Sequence, residues 1–336
     1  MTIEAPPRER VVRRTLPRLG VAVALLGAFL VLRAVAPADA ALSDTASDFL
    51  TLSISVVIES LPFVFLGILL SVAVQLWVPD RILLRVLPRR ALPRRIVISL
   101  LGVLLPVCEC GNVPLARGLV VKGLSVSESM TFLLAAPILN PITIITTYQA
   151  FGWNDGILLA RILGGFVIAN LVGWVFSLHP REQELLTARF QAVCAVGERA
   201  HEHGGRMRRS VALFAEETGA MMPALFVGSA IAGLIQVAVS RDVLTTLGAN
   251  PLWSVLALMV LAFVISICSN VDAFFVLSFG GTFLPGGIVA FLVFGPMIDI
   301  KMLALLRTTF TARTLLQITA LVGLAAAALG LAVNYV

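Results

Sequence analysis

Long apolar runs broken by single polar or proline-bearing steps alternate with short basic clusters along this chain. The run over residues 49–78 is 30 residues long, beyond the roughly 20 a membrane helix needs, and carries Glu59 and Pro62, which predicts a tilted or kinked crossing. Further crossings are predicted over 130–151, with a break at Asn140-Pro141, and over 157–178. After a hydrophilic stretch at 179–209 the pattern resumes near Val211 and continues through 287–306 and 315–333. A first apolar stretch at 19–35 follows a basic N-terminus and reads as a retained first span or signal anchor, with Ala38-Asp39-Ala40 faintly like a cleavage site. The acidic stretch 38–48 then reads as a short outside loop.

Two apolar segments are too short or too interrupted to cross. Residues 96–106 end at Cys108-Glu109-Cys110-Gly111-Asn112-Val113-Pro114, a composition that favours unwinding. Of 25 Lys and Arg, five lie in 1–18, six in 79–95 and six in 179–209. If 96–122 crossed, Arg117, Lys122 and the whole 179–209 cluster would be placed outside, against the charge rule. A re-entrant hairpin keeps every basic cluster inside, and residues 252–286 predict a second one entering from the other face. The expectation is seven crossings and two hairpins, with the N-terminus cytoplasmic.

The second half echoes the first. Pro62, Gly67 and Gln75 recur as Pro223, Gly228 and Gln236 at an offset of 161. Asn112 recurs as Asn270 at 158, and Pro137-Ile138-Leu139-Asn140 as Pro296-Met297-Ile298-Asp299 at 159. Three crossings separate the two repeat starts, so the halves should be inverted. The predicted fold class is an all-α polytopic membrane protein of inverted-topology repeats with discontinuous, re-entrant helical hairpins. Its parts are a basic segment and first span (1–44), repeat 1 (45–178), a cytoplasmic linker (179–209) and repeat 2 (210–336).

Composition agrees: 59% hydrophobic and 13% charged residues, with mean hydropathy +0.98, suit a polytopic membrane protein. Most of the basic residues behind the net charge of +6 sit in those three clusters, separated by long apolar runs, and no basic surface interleaves with aromatics, which argues against nucleic acid as a partner. Four cysteines, three in apolar segments, make no disulfide framework.

Ionisable residues in hydrocarbon need a protein-lined or wet environment, and the candidates are Glu59, Glu109, Glu217, Asp272, Asp299 and Lys301. Glu59 and Asp272 are the coupling candidates. Cys108 and Cys110 would point apart on a helix but to one side of an extended segment, where they offer two soft donors. Cys268 from the facing hairpin is a third, so these three form the candidate metal set, suited to Cu(I), Zn(II) or trivalent arsenic. Buried cysteines also serve simply as small hydrophobes. Asn112, Asn140, Asn270 and Asp299 stand at repeat-matched breaks, where amides and freed backbone groups can bind a polar solute. His179, His201 and His203 read as part of a solvated linker.

The segments Cys108–Gly118, Ala136–Pro141 and Gly295–Lys301 resemble the predicted permease family that includes the ArsP-type organoarsenical efflux permeases, over about residues 45–335. That resemblance implies an inner-membrane permease and, for its ArsP-type members, export of trivalent organoarsenicals through a membrane cysteine pair. Cys108 and Cys110 match that pair by position. No Walker A pattern occurs, so a gradient or a partner ATPase must supply energy, and no cofactor is expected. The expected partners are the lipid bilayer, a small-molecule or soft-metal substrate, and a second copy or accessory protein. A membrane-embedded thiol redox enzyme and the membrane subunit of a multi-protein transport assembly are the alternatives.

Overall fold

The computed structural model describes residues 44–79, 87–88, 90–104, 107–153, 155–199, 205–238 and 250–335. The basic N-terminus, the first span, His201 and His203 lie outside these residues. Among the described residues the chain forms thirteen α-helices: α1 (Asp44–Trp77), α2 (Ala91–Leu104), α3 (Glu109–Val121), α4 (Val126–Leu139), α5 (Pro141–Phe151), α6 (Ile157–Ser177), α7 (Ala188–Arg199), α8 (Arg206–Ala238), α9 (Pro251–Ile265), α10 (Asp272–Leu277), α11 (Pro285–Met297), α12 (Ile300–Leu306) and α13 (Ala312–Tyr335).

Five stretches among the described residues are long and apolar enough to cross a membrane: Thr45–Trp77, Ile157–Ser177, Arg206–Ala238, Pro285–Leu306 and Ala312–Tyr335. The pair α4 and α5, bent by 40° at Asn140, makes a sixth. The protein is an all-α, multi-pass membrane protein. Its outer faces carry Ile58, Leu69, Leu163, Trp174 and Leu324 exposed, as a lipid solvent permits and water would not.

Sequence order reappears as packing order. Helix α2 packs on α4 and α4 on α6; α9 packs on α11 and α11 on α13. The two triplets meet where α4 touches α11, and every residue of α4 from Val126 to Leu139 is buried. Helix α11 is buried from Gly286 to Met297, so α4 and α11 form the centre. The long helices α1 and α8 lie against each other on one flank.

Glycines set how closely those flanking helices approach. A Cβ on Gly67 would run into the Gly111 carbonyl, and a Cβ on Gly111 into the Phe63 carbonyl, so α1 and α3 touch backbone to backbone. Gly228 lets α8 approach α12 at Lys301 and Ala304.

Polar caps set the breaks. The Asn140 side chain accepts the Ile142 N–H at 3.0 Å, with Pro141 at the first helical position, so one helix ends and the next begins on the same residue. Asp299 caps α12 by accepting the Met302 N–H. Helix α4 starts with a full capping box between Ser125 and Glu128.

Three local expectations change. Residues 44–48 belong to the start of α1 rather than to a loop. The break in the first hairpin falls just before Glu109, so Cys110, Gly111, Asn112 and Pro114 are helical and the Cys-x-Cys segment is not extended. Gly111 serves the α1 contact, and buried protein surrounds the step at Pro114, where a lost helical hydrogen bond is tolerated. The linker is not wholly solvated either: Phe190 is fully buried, and Glu182 accepts the Ser127 N–H at 3.0 Å and hydroxyl at 2.9 Å.

Candidate functional site

Four chain breaks meet in the interior: the segment before α3, the α4–α5 joint, the α9–α10 turn and the α11–α12 joint. Helix ends leave N–H and C=O groups without intrahelical partners, and inside a membrane protein these must be met by side chains. The Val107 carbonyl takes the Asn112 and Asn140 side-chain amides, each at 3.4 Å. Thus Asn112 and Asn140 close one break, while the Thr143 hydroxyl donates to Asn270 Oδ1 at 3.4 Å from across the halves. The α9–α10 turn leaves its helix through Ser266 at φ 53°, the one non-glycine residue in the left-handed region among those described.

Glu109, at the start of α3, is the hub. Its Oε1 lies 3.3 Å from Lys301 Nζ on α12, and both side chains are 1% exposed. Its Oε2 accepts from the Ser269 hydroxyl at 3.1 Å, and the Cys268 thiol stands 3.7 Å away. The sulfurs of Cys108 and Cys268 and a Glu109 oxygen lie within 4.8 Å of one another, all buried. Glu59, half-buried on α1, lies near the Cys268 backbone and within the field of Lys301 and Glu109.

This differs from the three-sulfur set in one member. It is Glu109 that stands with Cys108 and Cys268, while Cys110 lies beside the Cys108 thiol. Two buried oxygens, Asn112 Oδ1 and Asp299 Oδ2, have no hydrogen-bond partner among the described residues. A buried acceptor without a donor costs about 1–3 kcal/mol.

Asp272 stands elsewhere. Arg161 of α6 grips it with two hydrogen bonds, Nη1 to Oδ1 at 3.0 Å and Nη2 to Oδ2 at 2.6 Å, and Nη1 also donates to Thr147 Oγ1. Arg161 was not among the sequence candidates, although a lone cation in an apolar run was signal enough. Glu217 likewise pairs with Arg117 at 2.9 Å, both buried, and the Arg117 guanidinium lies 4.2 Å over the Phe190 ring.

The chemistry of the hub is that of a soft, polar, buried cluster. Two thiols and a carboxylate can ligate a thiophilic cation. A carboxylate with a lysine beside it can also accept the proton that a ligating thiol must lose.

Comparison with known proteins places this chain. The family described as "Predicted permease", ArsP_1, matches residues 45–335. The UPF0718 protein YcgR of Bacillus subtilis is 36% identical over 274 residues, covering 80% of this chain and 91% of that protein. A Streptococcus mutans protein, provisionally named two-component membrane permease complex subunit, is 32% identical over 272 residues, covering 80% of this chain and 89% of its own length. No solved structure matches. The chain belongs to this predicted permease family.

Proposed function

We propose that this permease exports a small thiophilic solute, a trivalent organoarsenical or a soft metal ion, across the inner membrane through the site centred on Glu109. The observation that carries the reading is the buried triad of Cys108, Glu109 and Cys268, assembled from both halves where the helices are broken. A trivalent organoarsenical binds by exchanging each As–OH bond for an As–S bond, the thiol proton leaving with the hydroxide as water, whereas a soft cation displaces the thiol protons themselves, that of Cys108 going to water. With the cation, the Cys268 proton passes to Glu109, 3.7 Å away, and Glu59 is the relay candidate toward one face. Proton exchange at Glu59 and Glu109 would then couple export to a gradient.

The matched order of helix packing supports repeats, which we read as inverted with α2–α3 and α9–α10 as re-entrant hairpins, and the cytoplasmic N-terminus rests on the basic clusters at 1–18, 79–95 and 179–209. Each hairpin tip is tied by an ion pair to the opposite half, Glu109 to Lys301 and Asp272 to Arg161. Rocking one half against the other would therefore move both tips, opening the central site to alternate faces.

The test is the thermal stability of the purified full-length protein with phenylarsenite, Cu(I) or Zn(II), since a ligand of the folded state alone raises the midpoint. At least one thiophile should raise it for the wild type and fail to do so for Cys108→Ala/Cys268→Ala. Equal shifts in both proteins, or none in the wild type, would remove the thiophilic reading.

A second reading, favoured by the name of the Streptococcus mutans relative, is that the chain is the membrane subunit of a two-component permease. Co-purification of one stoichiometric second protein, lost when 191–209 is replaced by a Gly-Ser tether, is its expected result.

A further inference from the structure

A second polar site lies away from the thiols, where the linker meets the end of a membrane span. A cavity of about 190 Å³ is lined there by Arg117, Arg189, Arg307, Thr187, Thr308 and Phe190. One water's share of the liquid is about 30 Å³, so the space takes a group of phosphoryl size.

Three guanidinium groups with one paired acid leave an excess of positive charge. Arg117 is 5% exposed; its Nε goes to Glu217, and its Nη1 to the Thr308 carbonyl and Thr309 hydroxyl. Its Nη2 has no hydrogen-bond partner among the described residues. Arg307 gives one bond, to the Phe310 carbonyl at 3.1 Å, and keeps the rest of its fork. Arg189 is exposed and without an acidic partner among the described residues. Thr187 precedes α7 and its hydroxyl accepts the Phe190 N–H, so the helix dipole adds positive potential on the same side.

We infer that this cavity is an anion site for a phosphate group, held by the planar forks of Arg189 and Arg307 with Arg117 behind them. Guanidinium forks match phosphate oxygens two at a time. Arg307 follows directly on the span that ends at Leu306, so a lipid headgroup phosphate reaches it as readily as a free one. Both sources present the same chemistry.

The site makes no use of the thiols, and its test is independent of transport. The full-length protein is purified in phosphate-free detergent and melted against inorganic phosphate, with ionic strength held constant by chloride. In parallel, native mass spectrometry scores retention of phosphatidylglycerol against phosphatidylcholine. Phosphate should raise the midpoint saturably, or phosphatidylglycerol should be retained selectively. Arg189→Gln/Arg307→Gln should weaken whichever response occurs about tenfold or more, the scale of a lost charge-assisted bond. Should the double variant fail to fold, Arg189→Gln alone, at an exposed position, carries the comparison. A response to phosphate only identifies a soluble oxyanion, and a response to the lipid only identifies a headgroup. Absence of both, or the same response in the variants or with chloride alone, overturns the inference.

Discussion

Of the three buried ion pairs that cross from 45–178 to 210–336 among the described residues, Arg117–Glu217, Arg161–Asp272 and Glu109–Lys301, the last two are built oppositely. Arg161 and Asp272 form a closed clamp: two parallel bonds, with Thr147 as a third partner, at 1% and 2% exposure. Glu109 and Lys301 are equally buried but joined by one bond of 3.3 Å, and Glu109 divides its remaining capacity between Ser269 and the thiol of Cys268. Bidentate geometry makes the first pair strong and particular, whereas the second leaves ligand positions for something else. A hinge needs a fastened end and an adjustable one. Asp272, held by two bonds, is the more tightly fastened of the two acids.

The largest effect should come from breaking the clamp. Asp272→Ala strands Arg161 and should cost about 3–5 kcal/mol of stability, read from denaturant midpoints in detergent. Arg161→Met/Asp272→Leu should recover most of that loss, because no charge is left unpaired. A double variant as unstable as the single would show that the pair is not the origin of the loss.

Lys301→Met tests the adjustable end. Glu109 keeps Ser269 as donor and can take up a proton, so the stability loss should be smaller, about 1–3 kcal/mol, while thiophile binding falls steeply. Equal stability losses for Lys301→Met and Asp272→Ala would erase the contrast.

The smallest change is Ser269→Ala, which removes one neutral donor from Glu109 and should cost about 0.5–1.5 kcal/mol. It should nonetheless shift the apparent affinity for the thiophile, read by titration of the melting midpoint. An unchanged affinity would mean that the Glu109 environment does not tune the site.

Much of the architecture was readable along the chain. Apolar run length and the Asn140-Pro141 step mark the spans and the bend, because in lipid the backbone must satisfy itself and every exception needs a polar cap. The repeat-matched residues Asn112, Asn140, Asn270 and Asp299 all fall at or beside the observed breaks. Less readable was the phase of α3. Gly111 and Pro114 suggested unwinding, but Gly111 is there for its contact with Gly67, a partner 44 residues away whose identity no local pattern reveals. In the fold, Glu109 rather than Cys110 joins Cys108 and Cys268.

By itself the sequence determined that this is a polytopic helical membrane protein with polar breaks in its apolar segments, since hydrophobic length and capping chemistry are local properties; that it is a permease comes from its family. Which charges meet was decided only by tertiary structure. Glu109 and Lys301 are 192 residues apart, and Asp272 and Arg161 are 111 apart. Coulomb attraction acts through space, and the packing of α1 on α8, α3 on α12, α5 on α10 and α4 and α6 on α11 brings these charges close enough for it to select partners.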